Sequence, residues 1–466
     1  MPVLREGADR ARLVPHRRLP PASRRRLRIL RHADRRALRQ VRAAVRPAPH
    51  PRSHRPSRLN PGSASWLAAL CTSRVLAATW FVAYSAVLPL TQQAWGLSGR
   101  EAGMIQAAFH LGYLSSLFIV GFIADHFGAK RAYLTTGIAA CLSPWAFVLF
   151  ADGFWSAFWL HAFTGLCQGG TYTPALALIN EHVERVRRGR AMGYLIAGSS
   201  AGYAISLGVA GLALRFTDWR GALTAVAALP VISWLLGIYV LRGTPNTVHP
   251  RPAGEPLLAS LPAVWRNRRG MLSIWGYTFH NWELLGMWAW LPAFLTACLV
   301  LHGNENPAAL ALAFAALTYV ANIGGSIAGG TMADRWGRTQ TILTWSCVSL
   351  VLSFSIGWLV ALPLALLVAL ACLYNFAGIA DSSTHSLVLA ESVPAHYLGV
   401  AYAVRSVIGF GSGVVSPVVF GWALDLAGGG RTSADAFAWG IAWSTLGLGA
   451  LLGPVATWRL RKSSTM

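Results

Sequence analysis

The sequence predicts an all-α membrane protein in which twelve transmembrane helices form two pseudo-symmetric six-helix bundles. Hydrophobic residues make up 54% of the 466 residues and charged residues only 12%, which is too little polar surface for a water-soluble protein of this length. The apolar residues form long continuous runs that are separated by short polar joints. One polar string also occurs twice, at the same joint of two consecutive halves, which indicates an internal duplication.

The number of predicted spans follows from the thickness of a bilayer. A hydrocarbon core of about 30 Å needs roughly 20 apolar residues per helix, and the chain from residue 66 onward has room for twelve such helices. Ser98 followed by Glu101 is a capping-box pattern, which marks the start of the second span. The predicted spans, numbered 1 to 12 below, are residues 66–90, 100–124, 132–151, 154–180, 190–214, 220–241, 270–300, 308–333, 339–361, 363–390, 397–424 and 434–458.

The first 65 residues are rich in arginine and proline and contain no apolar core of the kind a signal peptide requires. We expect this tail to be disordered. It is either upstream sequence translated from a misplaced start or a basic arm for lipid headgroups or nucleic acid. We favour a misplaced start or a dispensable tail and expect no nucleic-acid partner. The predicted domains are a cytoplasmic tail 1–65, a first bundle 66–241, a linker 242–269, a second bundle 270–458 and a cytoplasmic C-terminal segment 459–466.

The distribution of lysine and arginine predicts the orientation of the spans. With the N-terminus of span 1 inside, sixteen lysines and arginines fall in the cytoplasmic joints and C-terminus, and four fall in the outer joints. This asymmetry satisfies the positive-inside rule. We therefore expect a multi-pass protein of the bacterial inner (plasma) membrane with both termini in the cytoplasm.

The cysteines predict neither disulfides nor a metal site. All six lie within predicted spans and none forms a CxxC pair, so we interpret them as small buried hydrophobic residues. The chain also contains no catalytic triad, metal-ligand spacing or nucleotide-binding loop that follows a strand. We therefore expect no enzyme activity, no cofactor and no bound metal.

The repeated string joins spans 2 and 3 and again spans 8 and 9. Each copy places an aspartate near the start of a helix, where a carboxylate is favoured, and a glycine where the chain must turn tightly. Basic residues beside each aspartate are able to pair with it. We expect the two copies to form a latch that changes with conformation, the alternative being a simple topology anchor. The residues concerned are Gly121, Asp125, Gly128, Lys130 and Arg131 in the first copy and Gly330, Asp334, Arg335, Gly337 and Arg338 in the second.

These strings resemble the loop motif of the major facilitator superfamily, and the run from Gln168 to Pro174 is similar to span 4 of that superfamily. The resemblance implies two six-helix bundles, alternating access and a cavity lined mostly by spans 1, 4, 7 and 10. Two departures count against drug/proton antiport. Gly165 stands where the proton-linked exporters carry arginine, and Tyr203 stands where their span 5 has proline. His126 and Thr339 depart from the loop motif itself.

Ionisable residues inside a bilayer are costly and usually face a cavity or a partner. Arg74 lies about 12 Å into span 1, where its planar guanidinium suits an anionic ligand. The alternative is snorkelling to the membrane surface, which we favour for Arg405. The interior ionisable residues are Arg74, His110, His161, His280, Glu283, Asp381, His385 and Arg405, and six of these eight lie on spans 1, 4, 7 and 10.

Two sets of candidate site residues follow. His280 and Glu283 share a helical face, and Asp381 and His385 are spaced by four residues, so both pairs are candidates for proton coupling. The alternative is that they are structural hydrogen-bonding groups. His110 and His161 are more typical of core histidines. The candidate substrate contacts are Arg74, Gln168, Tyr172, Trp290 and Asn375.

The sequence therefore predicts a monomeric secondary transporter that moves a small solute, in particular an organic or inorganic anion, by proton symport. The expected partners are the substrate, the proton and the lipid bilayer. The run from His280 to Trp290 resembles members grouped with cyanate and nitrate permeases. Proton-linked efflux of an amphipathic compound is the alternative, and a non-transporting solute receptor is a third hypothesis.

Overall fold

The computed structural model describes residues 59–248, 261–394, 398–428 and 435–463, with Phe118 and Asp125 described by their backbone alone. The predicted tail therefore lies almost entirely outside the described residues. Part of the predicted linker and the last three residues lie outside them as well.

All regular structure in the described residues is helical, which confirms the predicted fold class. Eleven helices are long and apolar enough to cross a membrane, and span 4 is the twelfth, built from two shorter helices. A short helix, Leu261–Arg266, precedes span 7. The spans are Ala64–Trp95, Gly99–Phe127, Ala129–Phe150, Phe154–His182, Arg185–Ala213, Trp219–Leu241, Arg268–Leu301, Pro307–Trp336, Arg338–Leu359, Leu364–Ser392, Leu398–Leu426 and Ala436–Lys462.

Span 2 begins where the capping box predicts. The Ser98 side chain accepts a hydrogen bond from the Glu101 amide over 3.1 Å, and the Glu101 carboxylate accepts one from the Ser98 amide over 2.8 Å. Two amides at the start of the helix are thereby satisfied, which fixes the point at which the chain enters the span.

Several spans are interrupted near their middles. In span 1 the α-helix is interrupted by a 3₁₀ turn at Thr79–Val82, and in span 4 by a 3₁₀ turn at Gly169–Thr171. Span 10 is divided at Asp381, which ends one helix and precedes the next. The interruptions of spans 4 and 10 lie at matching positions of the two halves. Broken helices of this kind commonly line binding sites in transporters.

The two repeated strings form matching turns at one end of the helices. The prediction that each aspartate lies near the start of a helix is wrong, because the glycine turn comes after it: Asp125 lies in the last turn of Gly99–Phe127 and Asp334 in the last turn of Pro307–Trp336. Gly128 separates spans 2 and 3 with φ of 84°, and Gly337 separates spans 8 and 9 with φ of 86°. These backbone conformations are strained for any residue that carries a side chain, so glycine is required at both turns. We call the end of the helices that contains Gly128 and Gly337 the motif end, and the other end the opposite end.

The two halves of the chain, Ala64–Leu241 and Leu261–Lys462, contact each other mainly through span 2 with span 11, span 5 with span 8, and span 1 with span 7. The contact of spans 2 and 11 is closest at the opposite end. A Cβ atom at Gly421 would lie 2.1 Å from the carbonyl oxygen of Gly99, so the helix backbones meet almost directly. At the motif end, Thr173–His182 packs on spans 1, 2, 3 and 5, and Ser382–Ser392 packs on spans 7, 8, 9 and 11, each within its own half.

Candidate functional site

Arg74 is buried in span 1, with only 5% of its surface exposed. Its guanidinium lies over the ring of Tyr172 in span 4, 5.3 Å from the ring centroid. The Nε atom has no hydrogen-bond partner, and no ion pair of Arg74 with a carboxylate is found within the described residues. A buried charge without a counter-charge is costly, so this position favours an anionic ligand.

Three tyrosines of the first half lie within electrostatic range of this guanidinium. The charge of Arg74 acts on the hydroxyl groups of Tyr113, Tyr172 and Tyr203. In the part of the chain that the structure describes, none of these hydroxyl groups hydrogen-bonds to protein. Each is therefore available as a donor to a ligand beside Arg74.

Arg405 of span 11 is the second interior arginine, and it stacks on tyrosines of the second half. Its guanidinium lies 4.2 Å from the ring centroid of Tyr277 and 4.8 Å from that of Tyr402, and it donates a hydrogen bond to the Ser386 hydroxyl over 2.7 Å. Its charge also acts on Tyr172. Arg405 is thus held between helices, which differs from the snorkelling that its position in the sequence favoured. We call Arg74, Tyr113, Tyr172, Tyr277 and Arg405 the arginine–tyrosine cluster.

An aromatic layer lies between this cluster and the opposite end. The ring of Tyr203 lies 5.2 Å from that of Phe81 and 5.3 Å from that of Trp288. Trp288 in turn lies 5.7 Å from Tyr319. Because the four rings come from spans 1, 5, 7 and 8, the layer joins both halves of the chain.

Three of the predicted substrate contacts lie away from the cluster. Gln168 donates to the Ala140 carbonyl of span 3 over 3.1 Å. Asn375 accepts from Trp288 and Asn322, and its amide donates to Thr318. Trp290 donates to the Pro417 carbonyl over 3.0 Å, beside the close contact of spans 2 and 11. The structure thus brings together Arg74 and Tyr172, while the other three side chains have protein partners.

The candidate proton-coupling residues lie together in the second half. Nδ1 of His280 lies 2.9 Å from one carboxylate oxygen of Asp381, and Nε2 of His385 lies 3.4 Å from the other. All three side chains are buried. The charge of Arg405 acts on both histidines, so this trio lies within electrostatic reach of the arginine–tyrosine cluster.

Glu283 follows one turn after His280 and faces span 9. Its carboxylate accepts hydrogen bonds from Ser353 over 2.6 Å and from Ser349 over 3.0 Å. Ser353 also shares a hydrogen bond with the Tyr374 hydroxyl of span 10. The nearest imidazole, that of His280, contacts Asp381 and acts on Glu283 only through its charge. Span 7 therefore places two titratable side chains one helical turn apart: His280, which lies beside Asp381, and Glu283, which lies against span 9.

The trio of His280, Asp381 and His385 also has the composition of a small-cation site. Each residue offers one ligand atom, and these atoms lie within 4.8 Å of one another. Two imidazoles and a carboxylate suit zinc and related divalent ions as well as protons. Nδ1 of His280 and Nε2 of His385 lie close to carboxylate oxygens, but neither Oδ1 of Asp381 nor Nε2 of His385 has a hydrogen-bond partner among the described residues.

His110 and His161 lie elsewhere, among aromatic rings of the first half. The ring of His161 lies within about 5 Å of those of Phe109, Phe147 and Tyr84. Gln106 lies 3.4 Å from Nε2 of His110. Both ring nitrogens of His161 and Nδ1 of His110 are buried without a hydrogen-bond partner among the described residues, so their interpretation as core histidines stays a prediction.

At the motif end, each repeated string contacts a different segment. Lys130 donates to the Thr244 carbonyl over 2.8 Å, and the Arg131 amide donates to Asn246 over 3.1 Å. Arg338 pairs with Glu391 over 2.8 Å. The exposed Asp334 carboxylate has no ion pair among the described residues and borders a cavity of about 400 Å³. Among the described residues, no side-chain hydrogen bond or ion pair involves Gly121, Gly330 or Arg335. The side chain of Asp125 lies outside the described atoms.

Sequence reasoning missed four residues that the structure places at or beside the cluster: Tyr113, Tyr203, Tyr277 and Arg405. A usable signal was the spacing of Tyr402 and Arg405, because residues three apart on a helix share a face. Because the Arg405 guanidinium stacks on the ring of Tyr402 in its own helix, it does not extend to the membrane surface.

Comparison with known proteins decides the family. The sequence profile of the Major Facilitator Superfamily matches residues 69–417, which is most of the chain. The chain belongs to this superfamily. Membership confirms the predicted resemblance and identifies the protein as a multi-pass membrane transporter, and not an enzyme.

Curated relatives of this superfamily member include several transporters. It is 25% identical to a probable sulfoacetate transporter of Cupriavidus necator over 81% of this chain and 91% of the relative. It is also 25% identical to a cis,cis-muconate transport protein of Acinetobacter baylyi over 76% of this chain and 85% of the relative. Human protein spinster homolog 1 is 29% identical, over 53% of this chain but only 49% of its own length.

Solved structures of other transporters show the same fold. A nucleoside transporter superposes with a TM-score of 0.67 at 13% identity, over 85% of this chain and 99% of that one. A bacterial homolog of the human lysosomal transporter Spinster superposes with a TM-score of 0.66 at 15% identity, over 86% and 97%. The superfamily fold of two six-helix bundles is thereby confirmed.

Proposed function

We propose that this protein takes up a small anion by proton symport, through alternating access, across the inner membrane of a bacterium. The observation that supports the proposal is Arg74, a buried guanidinium that stacks on Tyr172 and forms no ion pair within the described residues. Such a position is stable when an anion occupies it, because the ligand replaces the lost solvation of the charge.

The relatives support an anionic substrate. Two bacterial relatives that align along most of this chain are named for sulfoacetate and for cis,cis-muconate, which are both anions at neutral pH. A probable chloroplastic anion transporter of rice aligns over 56% of this chain and 53% of its own length, at 25% identity. The substrates for which these relatives are named share a negative charge, and Arg74 offers a positive charge to recognise it.

The orientation of the transporter follows from its charges. Both repeated strings and most lysines and arginines of the joints lie at the motif end, which the positive-inside rule assigns to the cytoplasm. Both termini then lie in the cytoplasm. The opposite end, where spans 2 and 11 of the two halves meet most closely, then faces outward.

The proton site in this proposal is His280 with Asp381, His385 and the nearby Glu283. His280 lies beside Asp381, and its charge acts on Glu283 one turn further along span 7, so the proposal assigns proton exchange to the histidine–aspartate pair and to Glu283. An anion at the arginine–tyrosine cluster reduces the positive field that acts on both histidines, so anion binding favours proton binding. By reciprocity the bound proton favours the anion, which is the requirement for symport.

Uptake by proteoliposomes tests the proposal. With labelled sulfoacetate and cis,cis-muconate as probes, wild-type protein should take up at least one of them. Arg74→Gln should abolish uptake, and Arg74→Lys should retain part of it because the charge remains without the planar fork. Arg187→Gln is the matched control, since Arg187 is exposed at the motif end. Wild-type uptake by Arg74→Gln would contradict the proposal.

A further inference from the structure

We infer that His280, Asp381 and His385 form a binding site for one transition-metal dication, with zinc as the ion that fits best, and that the bound ion blocks transport. The blocking role rests on the proposed function, because the ion occupies the residues to which that proposal assigns the coupling proton. The sequence predicts no such site, since His280 and the other two ligands lie on separate spans. The ion is an inhibitor of the transporter and not its cofactor or its substrate.

The fold gathers three ligand side chains at one point. Asp381 and His385 are four residues apart at the break of span 10, and His280 reaches them from span 7. Each side chain offers one ligand atom, and these atoms lie within 4.8 Å of one another. All three residues are more than nine-tenths buried. Two spans thus bring three metal ligands together where water is largely excluded.

The distances within the trio match those between ligands of a metal ion. Tetrahedral zinc with bonds of about 2.0–2.1 Å holds its ligand atoms about 3.3 Å apart. Nδ1 of His280 lies 2.9 Å from Oδ1 of Asp381, and Nε2 of His385 lies 3.4 Å from Oδ2. Because all the ligand atoms already lie within 4.8 Å, small side-chain rotations complete three corners of a tetrahedron.

Hydrogen bonds do not account for these close approaches. Oδ1 of Asp381 and Nε2 of His385 are buried without a hydrogen-bond partner among the described residues, although each has an atom of the trio within 3.4 Å. A buried polar atom without a partner is costly, and an ion between the side chains gives both atoms one. Nε2 of His280 is the third buried atom of the trio without a described partner. It carries the ring hydrogen when Nδ1 binds the ion.

The chemistry of the ligands selects the kind of ion. Imidazole nitrogens suit zinc, copper and nickel, whereas magnesium and calcium prefer sets of oxygen atoms. Two histidines and a carboxylate are also the protein ligands of zinc sites that keep a fourth position open. The charges of Glu283 and Arg405 both act on His280 and oppose each other. The carboxylate of Asp381 therefore supplies the negative charge that attracts the cation.

A bound ion blocks transport for two reasons. Zinc binds only deprotonated ligands, so the ion and the coupling proton exclude each other. The ion also ties His280 of span 7 to Asp381 and His385 at the break of span 10. A break that is fixed in this way resists the change between conformations.

Zinc titration of the purified full-length protein, with any affinity tag removed, tests the site. Calorimetry should show one zinc ion bound per chain, which an excess of magnesium does not displace. His280→Ala and His385→Ala should each weaken zinc binding about tenfold or more, since loss of a group behind a ligand already costs about 10–100-fold. His302→Ala is the matched control, because it removes an exposed imidazole of the second half. Absence of zinc binding by wild-type protein, or binding that neither trio variant weakens, overturns the site.

Cobalt absorption shows whether His280 is itself a ligand. Nδ1 is the ring nitrogen nearer the backbone, so a cysteine sulfur reaches a similar position with a metal bond of about 2.3 Å. His280→Cys should therefore bind cobalt and add a near-ultraviolet thiolate-to-cobalt band that wild-type protein lacks. Retained binding also shows that this variant is folded. Cobalt binding by His280→Cys without the band, or the band in wild-type protein, would assign the ion to other ligands and overturn the inference.

Two kinds of measurement separate this inference from the proposed function. The metal titrations use no anion, so failure of zinc binding leaves anion transport standing, and failure of anion uptake leaves the zinc site standing. In proteoliposomes that exchange labelled for unlabelled sulfoacetate or cis,cis-muconate, saturating zinc should slow exchange several-fold for wild type and for His302→Ala. Exchange by His385→Ala should be insensitive to the same zinc concentration. Normal exchange by wild-type protein that has bound zinc would overturn the block of transport.

Discussion

The backbone amide of Gly99, at the start of span 2, donates a hydrogen bond to Oδ1 of Asp425, near the end of span 11, over 2.7 Å. The next amide, that of Arg100, donates to Oδ2 of the same carboxylate over 2.8 Å. A carboxylate of the second half thus caps a helix of the first half, where the helix dipole favours negative charge. The carboxylate of Asp425 thus joins the two halves at the opposite end.

Removal of this cap should open the opposite end. Loss of an N-cap costs about 0.5–2 kcal/mol, so Asp425→Ala should shift the equilibrium between conformations by about 2-fold to 30-fold. Spin labels at Phe216 and Phe437, which are exposed residues of the two halves at that end, should report a larger population of long distances.

Asp425→Asn tests the same contact in part. Asparagine keeps one acceptor oxygen but turns its NH2 group toward the other backbone N–H, so this variant should lose one of the two hydrogen bonds and also lengthen the distances. If both variants resemble wild type, the contact of Gly99 with Asp425 does not hold the halves together.

A methyl group at Gly421 should prevent closure of the opposite end. Its Cβ atom would lie 2.1 Å from the Gly99 carbonyl, and backbone cannot move aside as a side chain can. Overpacking of this kind costs about 1–3 kcal/mol, so Gly421→Ala should reduce the transport rate several-fold and lengthen the same spin-label distances. Gly411→Ala on the same helix is the control, because no atom lies within 4 Å of a Cβ there. Equal effects of the two variants would refute this account of the closure.

The repeated strings should control the rate of conformational change and not substrate affinity. Asp334 is exposed beside a cavity in the described conformation and is therefore free to pair when the motif end closes. Asp334→Asn should lower the transport rate several-fold while the dissociation constant stays within about threefold. Glu305→Gln removes an exposed carboxylate from the opposite end and should leave both quantities unchanged. A large loss of affinity with normal turnover would assign Asp334 to the binding site.

Much of the fold was predictable because membrane spans leave a strong signal. Continuous apolar runs gave twelve spans whose ends mostly agree with the structure to within a few residues, and Ser98 with Glu101 marked the start of span 2. The glycines of the repeated strings predicted the turns at Gly128 and Gly337, which both have positive φ. These features depend on local sequence and on the lipid environment, and both are visible without a structure.

The site was less predictable because it depends on how neighbouring helices are rotated. Helical spacing placed His280 and Glu283 on one face, but it did not show that span 10 would bring Asp381 to within 2.9 Å of His280. In the same way, the sequence marked Asn375 as polar and could not reveal its hydrogen bonds to Trp288, Asn322 and Thr318. Arg74 and Tyr172 were both predicted, yet their contact across spans 1 and 4 needed the structure.

Removal of either acid of the proton route should uncouple the transporter. Asp381→Asn and Glu283→Gln keep the shape of the side chain but remove its ability to exchange a proton. Both variants should lose accumulation of substrate driven by a pH gradient and keep the exchange of labelled for unlabelled substrate, because exchange does not require release of the proton. A variant that still concentrates substrate would show its carboxylate to be a structural hydrogen-bonding group.

Proton entry during anion uptake tests the central claim most directly. Proteoliposomes that contain a pH-sensitive dye receive sulfoacetate or cis,cis-muconate outside, without an imposed gradient. Symport predicts that the interior acidifies as the anion enters, and that Arg74→Gln and Asp381→Asn both abolish this acidification. Anion entry by the wild-type protein without acidification would contradict proton symport, and alkalinisation of the interior would indicate exchange of the anion for protons.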